Sequence, residues 1–159
     1  MADRVLRPLQ FVIASMIVGI LAFGLVAVIA GGIRSAGPPV APVLLPALGA
    51  VALAEIPAYI LVRQGIVERL RRRLDQSAAD LTAYMFVGPF TTLTIIGGAL
   101  AEGPSLFGIV VYWVTGDGLA LVVPLVGVLV LARLYPTRGR LCTFLSRISG
   151  RPWEDTETR

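Results

Sequence analysis

Four long apolar runs constrain this chain more than any other feature. The first, "FVIASMIVGILAFGLVAVIA" from Phe11 to Ala30, carries no charge. It has the ~20 residues that a helix rising 1.5 Å per residue needs to cross a ~30 Å hydrocarbon core. A second run covers Val40 to Val62, a third extends from Met85 to Val114, and a fourth from Leu119 to Ala132. Short polar, Gly/Pro or arginine-rich segments separate them. Hydrophobic residues make up 56% of the 159 residues, and they gather in blocks instead of alternating at the period of a half-buried helix or strand. The expected fold is all-α, an integral membrane four-helix bundle. Its spans fall at about 9–31, 40–62, 85–114 and 118–135 within a domain of residues 1–135, and residues 136–159 follow as a basic tail. The first run exceeds the ~7–15 apolar residues of a secretory signal, so it reads as a span although Arg4 and Arg7 precede it.

Orientation follows from the charges. All fourteen basic residues are arginine. Arg4 and Arg7 precede the first run; Arg63, Arg69, Arg71, Arg72 and Arg73 follow the second; six more lie from Arg133 to Arg159, and Arg34 alone falls on the other side. Short arginine-rich loops stay in the cytoplasm, which predicts both termini and the central loop inside, in a bacterial inner membrane. Tyr112 and Trp113 then mark the outer interface, and Tyr84 and Tyr135 the inner one. The net charge of +4 speaks of topology, and no basic groove with interleaved aromatics suggests nucleic acid.

The inventory excludes several chemistries. There is no histidine and one cysteine, Cys142, so neither an internal disulfide nor a Cys/His metal site is available. No HExxH, GxSxG or Walker A pattern occurs, Asp80 reads as a helix start and Asp117 as a turn, and neither an enzyme nor a cofactor is expected.

Two amphipathic segments flank the bundle on the arginine-rich side. In "RQGIVERLRRRLDQ" the apolar residues Ile66, Val67, Leu70 and Leu74 recur at helical spacing, which extends the second helix into the headgroup layer. Beyond Pro136, Leu141, Phe144, Leu145 and Ile148 share one face of a C-terminal interfacial helix, with Arg140 and Arg147 elsewhere and Trp153 at headgroup level. Arg69, Arg71, Arg72, Arg73, Arg140 and Arg147 are the expected contacts to anionic lipid headgroups. A soluble partner docked on the same face is the alternative.

Glu55 and Glu102 are the acids inside the expected spans. An ionised carboxylate near the bilayer centre costs about 2.5–3.5 kcal/mol on insertion scales, so a chain that keeps one generally uses it. Thr91, Thr94, Gly98 and Ser105 fall on the helical face of Glu102, and Tyr59 stands one turn from Glu55. Counted from Arg63, Glu55 sits ~12 Å inside the arginine-rich end, which makes Glu102 the deeper acid. Ion binding is expected at Glu102 and Glu55 with Thr91, Thr94, Ser105 and Tyr59 as polar neighbours. The competing reading has the glutamates only tying helices together. "ALAEIP" at Ala52 recurs as "ALAEGP" at Ala99, 47 residues on, and the topology runs the two copies in opposite directions, as in an inverted repeat.

From Glu102 the chain reads Glu-Gly-Pro-Ser-Leu-Phe-Gly-Ile-Val-Val. This resembles the carboxylate-bearing outer helix of the ATP synthase c subunit, where an aromatic, a glycine and an aliphatic run follow the acid. Phe107, Gly108, Ile109, Val110 and Val111 match that pattern. The resemblance implies that Glu102 binds and releases H⁺, or Na⁺, within a homo-oligomer or membrane complex. The chain departs from the family in its first and fourth runs, in Pro104, and in lacking alternating glycines on the preceding helix. The rest of the chain, especially "LARLYPTRGRL" closing the fourth run, looks more like small bacterial four-helix membrane proteins that share this carboxylate helix.

Overall fold

A computed structural model describes residues 2–31, 41–76 and 84–149. Every element among them is helical: α1 (Ala2–Gly31), α2 (Ala41–Gln76), α3 (Tyr84–Thr115), a single 3-10 turn (Gly118–Leu121), α4 (Val122–Leu134) and α5 (Arg138–Ser149). The expected helix start at Asp80, Trp153, and the side chains of Arg71 and Arg73 lie outside the described residues.

Three helices are long and apolar enough to cross a membrane, over Leu6–Ala30, Val43–Leu70 and Val87–Thr115. The fourth expected span is not a crossing helix by itself. α4 has 13 residues, about 20 Å of rise, which falls short of a ~30 Å core. The segment Gly118–Leu134 reaches sufficient length and apolarity only together with Arg138–Phe144, across a bend of 76°. The second helix runs on through the arginine-rich segment to Gln76, as its amphipathic pattern predicts. Prolines 46, 57, 89 and 104 all sit inside helices, which membrane helices tolerate where neighbouring groups satisfy the freed carbonyls.

The fold is organised around α3, which packs against α1, α2 and α4, while α1 also packs against α4. The main core is a seam of Ile13, Ile20 and Ala27 on α1 with Ile109 and Leu131, all buried. The three α1 residues are seven apart, the spacing that keeps one stripe of a helix against a partner. On the opposite side of α1, Phe11, Val18 and Leu25 are 76%, 63% and 61% exposed. A continuous apolar stripe of that kind is a liability in water and a natural contact surface in lipid. A smaller cluster joins Leu48 of α2 to Val111 and Ala120.

Local chemistry sets the corners. Gly116, at φ 72°, ends α3 in the left-handed region that glycine adopts without Cβ strain, and its amide donates to the Tyr112 carbonyl at 2.7 Å. Asp117 then accepts from the Leu119 amide at 2.9 Å, the turn role its sequence context implies. At the other end, the Gln10 side-chain amide donates to the carbonyl of buried Pro136 at 2.9 Å, pinning the start of α1 to the α4–α5 corner. Gln10→Leu removes the donor from a buried carbonyl and is expected to cost about 1–3 kcal/mol. The loss reads out as a lower melting temperature in detergent with helix content unchanged, and an unaltered melt excludes this tether. The tether also brings Arg7 to the same end of the molecule as Arg63, Arg133, Arg140 and Arg147, in keeping with the charge asymmetry of the sequence.

Candidate functional site: two carboxyls at one level of the bundle

α2 and α3 run antiparallel. Leu48 clusters with Val111 near one end, and the Tyr59 ring lies beside Gly97 further along. Between these contacts, a Cβ built on Gly103 would stand 3.6 Å from Glu55 Oε1. The Glu55 carboxyl therefore reaches α3 one residue from Glu102, and the two "ALAExP" segments cross at their own acids. Both acids lie near the middle of their apolar helices. Glu55 and Glu102 thus stand at one level of the bundle, where counting back from Arg63 put Glu55 nearer the arginine-rich end than Glu102. α2 itself continues thirteen residues past Arg63 to Gln76.

The two carboxyls take different surroundings. Glu55 is half-buried and lines an apolar groove of about 330 Å³ between α2, α3 and α4, together with Tyr59, Gly97, Ser105 and Gly127. Glu102 is also half-buried but stands outside that groove, next to the exposed stripe of α3 formed by Ile95, Ala99, Gly103 and Val110. Among the described residues, no hydrogen bond or ion pair engages either carboxyl.

The expected polar neighbours divide accordingly. Ser105 is fully buried, and its hydroxyl donates to its own helix, to the Ala101 carbonyl at 2.6 Å. Thr94, also buried, donates to the Phe90 carbonyl at 2.9 Å. Such back-bonding satisfies the hydroxyl locally and leaves nothing aimed at a neighbouring acid. Thr91 is half-buried, with no hydrogen bond among the described residues. Tyr59 shares the groove with Glu55 without bonding to it, because its ring turns to the small Gly97 surface, 3.1 Å from a Cβ built there. Helical spacing thus identified which side chains share a face but not where their hydroxyls go.

A second cleft opens at the arginine-rich end. It encloses about 500 Å³ and brings Arg63 of α2 together with Arg140 and Arg147 of α5 over apolar walls from Val67, Phe90 and Phe144. α5 is seated there by buried Leu141 and by the Phe144 ring, 5.5 Å from that of Phe90 and tilted by 58°. Arg69 and Arg72, exposed like the three cleft arginines, lie outside the cleft, and Arg72 pairs with Glu68 at 3.1 Å. Arg63 read in sequence only as an interface marker. Its position one turn beyond Tyr59, with Val67 one turn further on, was the available signal for this cleft.

Among the described residues no group of three or more potential metal ligands occurs. No family model, no curated protein and no solved structure matches this chain.

Proposed function

We propose that this is a multi-pass inner-membrane protein that takes up H⁺, or Na⁺, on membrane-level carboxyls, Glu102 and Glu55. Both termini face the cytoplasm, and α4 with α5 forms a fourth, bent membrane segment. The observation that carries this reading is the meeting of α2 and α3 at two mid-helix acids that make no hydrogen bond or ion pair among the described residues. A carboxyl at that depth is stable in hydrocarbon when protonated or when it holds a cation. The competing role, tying helices together, needs interhelical hydrogen bonds to the acids; the hydroxyls of Thr94 and Ser105 are instead spent on their own helix.

Their half-burial adds a second argument. Glu102 borders an uncovered stripe of α3 in which Ala99 and Gly103 are small, and small residues permit close approach of another helix. A homo-oligomer, or a membrane complex in which a neighbouring helix covers this stripe, would complete the site.

The test is labelling by a hydrophobic carbodiimide, which attacks protonated carboxyls, on the protein in lipid vesicles across a pH series with and without Na⁺. Adducts are expected on Glu102 and Glu55, with yield falling as pH rises and, for a Na⁺ site, as Na⁺ is added. Glu102→Gln and Glu55→Gln each remove one adduct. Labelling of neither acid in a fully helical preparation, or labelling indifferent to pH, would falsify the proposal.

A further inference from the structure

The arginine-lined cleft and the apolar groove are continuous: Tyr59, Ile60 and Leu134 are walls of both. One path thus runs from a cationic mouth at the end of the bundle down the seam between α2 and α4, past Ile56 and Val130, to Glu55. Neither α2 with α4 nor α2 with α5 forms a substantial packing interface. The helices that wall this path are therefore not closed by one another.

The mouth is cationic. Among the described residues no ion pair engages Arg63, Arg140 or Arg147, and Glu68 is already held by Arg72 at 3.1 Å. The three guanidiniums stand exposed around one cleft, open to an anion, and their planar donors suit phosphate oxygens. The groove has the opposite character, since apart from Glu55, Tyr59 and Ser105 its lining is aliphatic or glycine. It lies along the spans, where hydrocarbon is the surrounding medium. A soluble phosphate satisfies only the mouth, and a neutral lipid only the groove.

We propose that this path seats one anionic phospholipid, its phosphate on Arg63, Arg140 and Arg147 and one acyl chain in the α2–α4 groove. From Arg63 to Glu55 the helix rises ~12 Å, enough to take up a substantial part of a chain. The lipid would bridge α2 to α5, which the protein's own packing leaves apart. This inference rests on the membrane placement and not on the ion-binding reading.

Electron spin resonance of the full chain in phosphatidylcholine vesicles tests it, with phosphatidylglycerol or phosphatidylcholine carrying a nitroxide on the acyl chain. The motionally restricted fraction is expected to be several-fold larger for phosphatidylglycerol. Each of Arg63→Gln, Arg140→Gln and Arg147→Gln should lower that preference by about fivefold or less, and the triple variant should abolish it. The Arg69→Gln/Arg72→Gln pair, equally exposed but outside the cleft, is the control for general surface charge and should leave the preference intact. Ala52→Phe, which fills the groove, should reduce the restricted signal of the phosphatidylglycerol probe. Equal retention of the two lipids, an equal loss in the Arg69/Arg72 control, or displacement by millimolar inorganic phosphate each overturns the proposal. If the triple variant loses helix content, the three single variants decide. Glu102→Gln leaves the lipid preference unchanged while removing its carbodiimide adduct, so the two readings fail separately.

Discussion

Gly127→Val is expected to lower stability by about 1–3 kcal/mol, toward the upper end, because α3 and α4 meet there at backbone contact. A Cβ at Gly127 would collide with Ser105 Oγ and come within 2.9 Å of the Ala101 carbonyl oxygen. Neither atom can yield easily, since the Ser105 hydroxyl is hydrogen-bonded to that same carbonyl and fully buried. One turn along the contact, a Cβ at Gly108 would stand 2.8 Å from Pro124 Cδ and 2.9 Å from the Ala120 carbonyl, so the helices have no slack on that side. Valine therefore separates α4 from α3 and also disturbs the wall of the groove that carries Glu55. Thermal unfolding in detergent measures the loss. Gly19→Val is the matched control: nothing lies within 4 Å of a Cβ there, and its melt should barely move. Similar melts for the two variants would mean that α4 does not pack on α3 as described.

The second large effect is at Leu131, 0% exposed where α4 meets α1 and α3. Leu131→Ala leaves a cavity between Ile13, Ile109 and the surface of Gly98. Truncations of this kind cost about 2–5 kcal/mol in water-soluble cores. In lipid the transfer contribution shrinks, because acyl chains are as apolar as leucine, while the lost packing remains. A value in the lower half of that range follows. Leu125→Ala, on the same helix but 63% exposed, removes a side chain that faces outward and should change stability by only a few tenths of a kcal/mol. The contrast between the two leucines measures which face of α4 is packed. If Leu125→Ala proves the more damaging, the assigned faces are reversed.

What the sequence conveyed follows from what its patterns encode. Apolar length and the arginine-rich segments located α1, α2 and α3, because both are properties of a single helix. The fourth expected span reaches crossing length only together with α5: Leu134 and Tyr135 extend the apolar run, but Pro136 turns the chain, and apolarity alone does not report where a helix bends. Glu55 and Glu102 were both identifiable as acids inside long apolar helices, since that requires only their neighbours in sequence. Their common level was not, because it depends on how far α2 slides along α3. The echo of "ALAE" held a trace of it, and the crossing of those two segments is the corresponding structural fact. The cleft of Arg63, Arg140 and Arg147 was the least legible. Arg63 stands 77 and 84 positions from the other two in sequence and meets them only through the 76° bend before α5.

The way α2 is held has a mechanical outcome. α1, α3 and α4 brace one another in a mutually packed trio, whereas α2, a rod of 36 residues or about 54 Å, leans chiefly on α3, with Leu48 reaching Ala120 of the 3-10 turn. Loosening that one junction frees the whole rod while the trio keeps its own packing. Thermal opening of the molecule should therefore start with α2, uncovering the Glu55 carboxyl and the interior of the seam in a single movement.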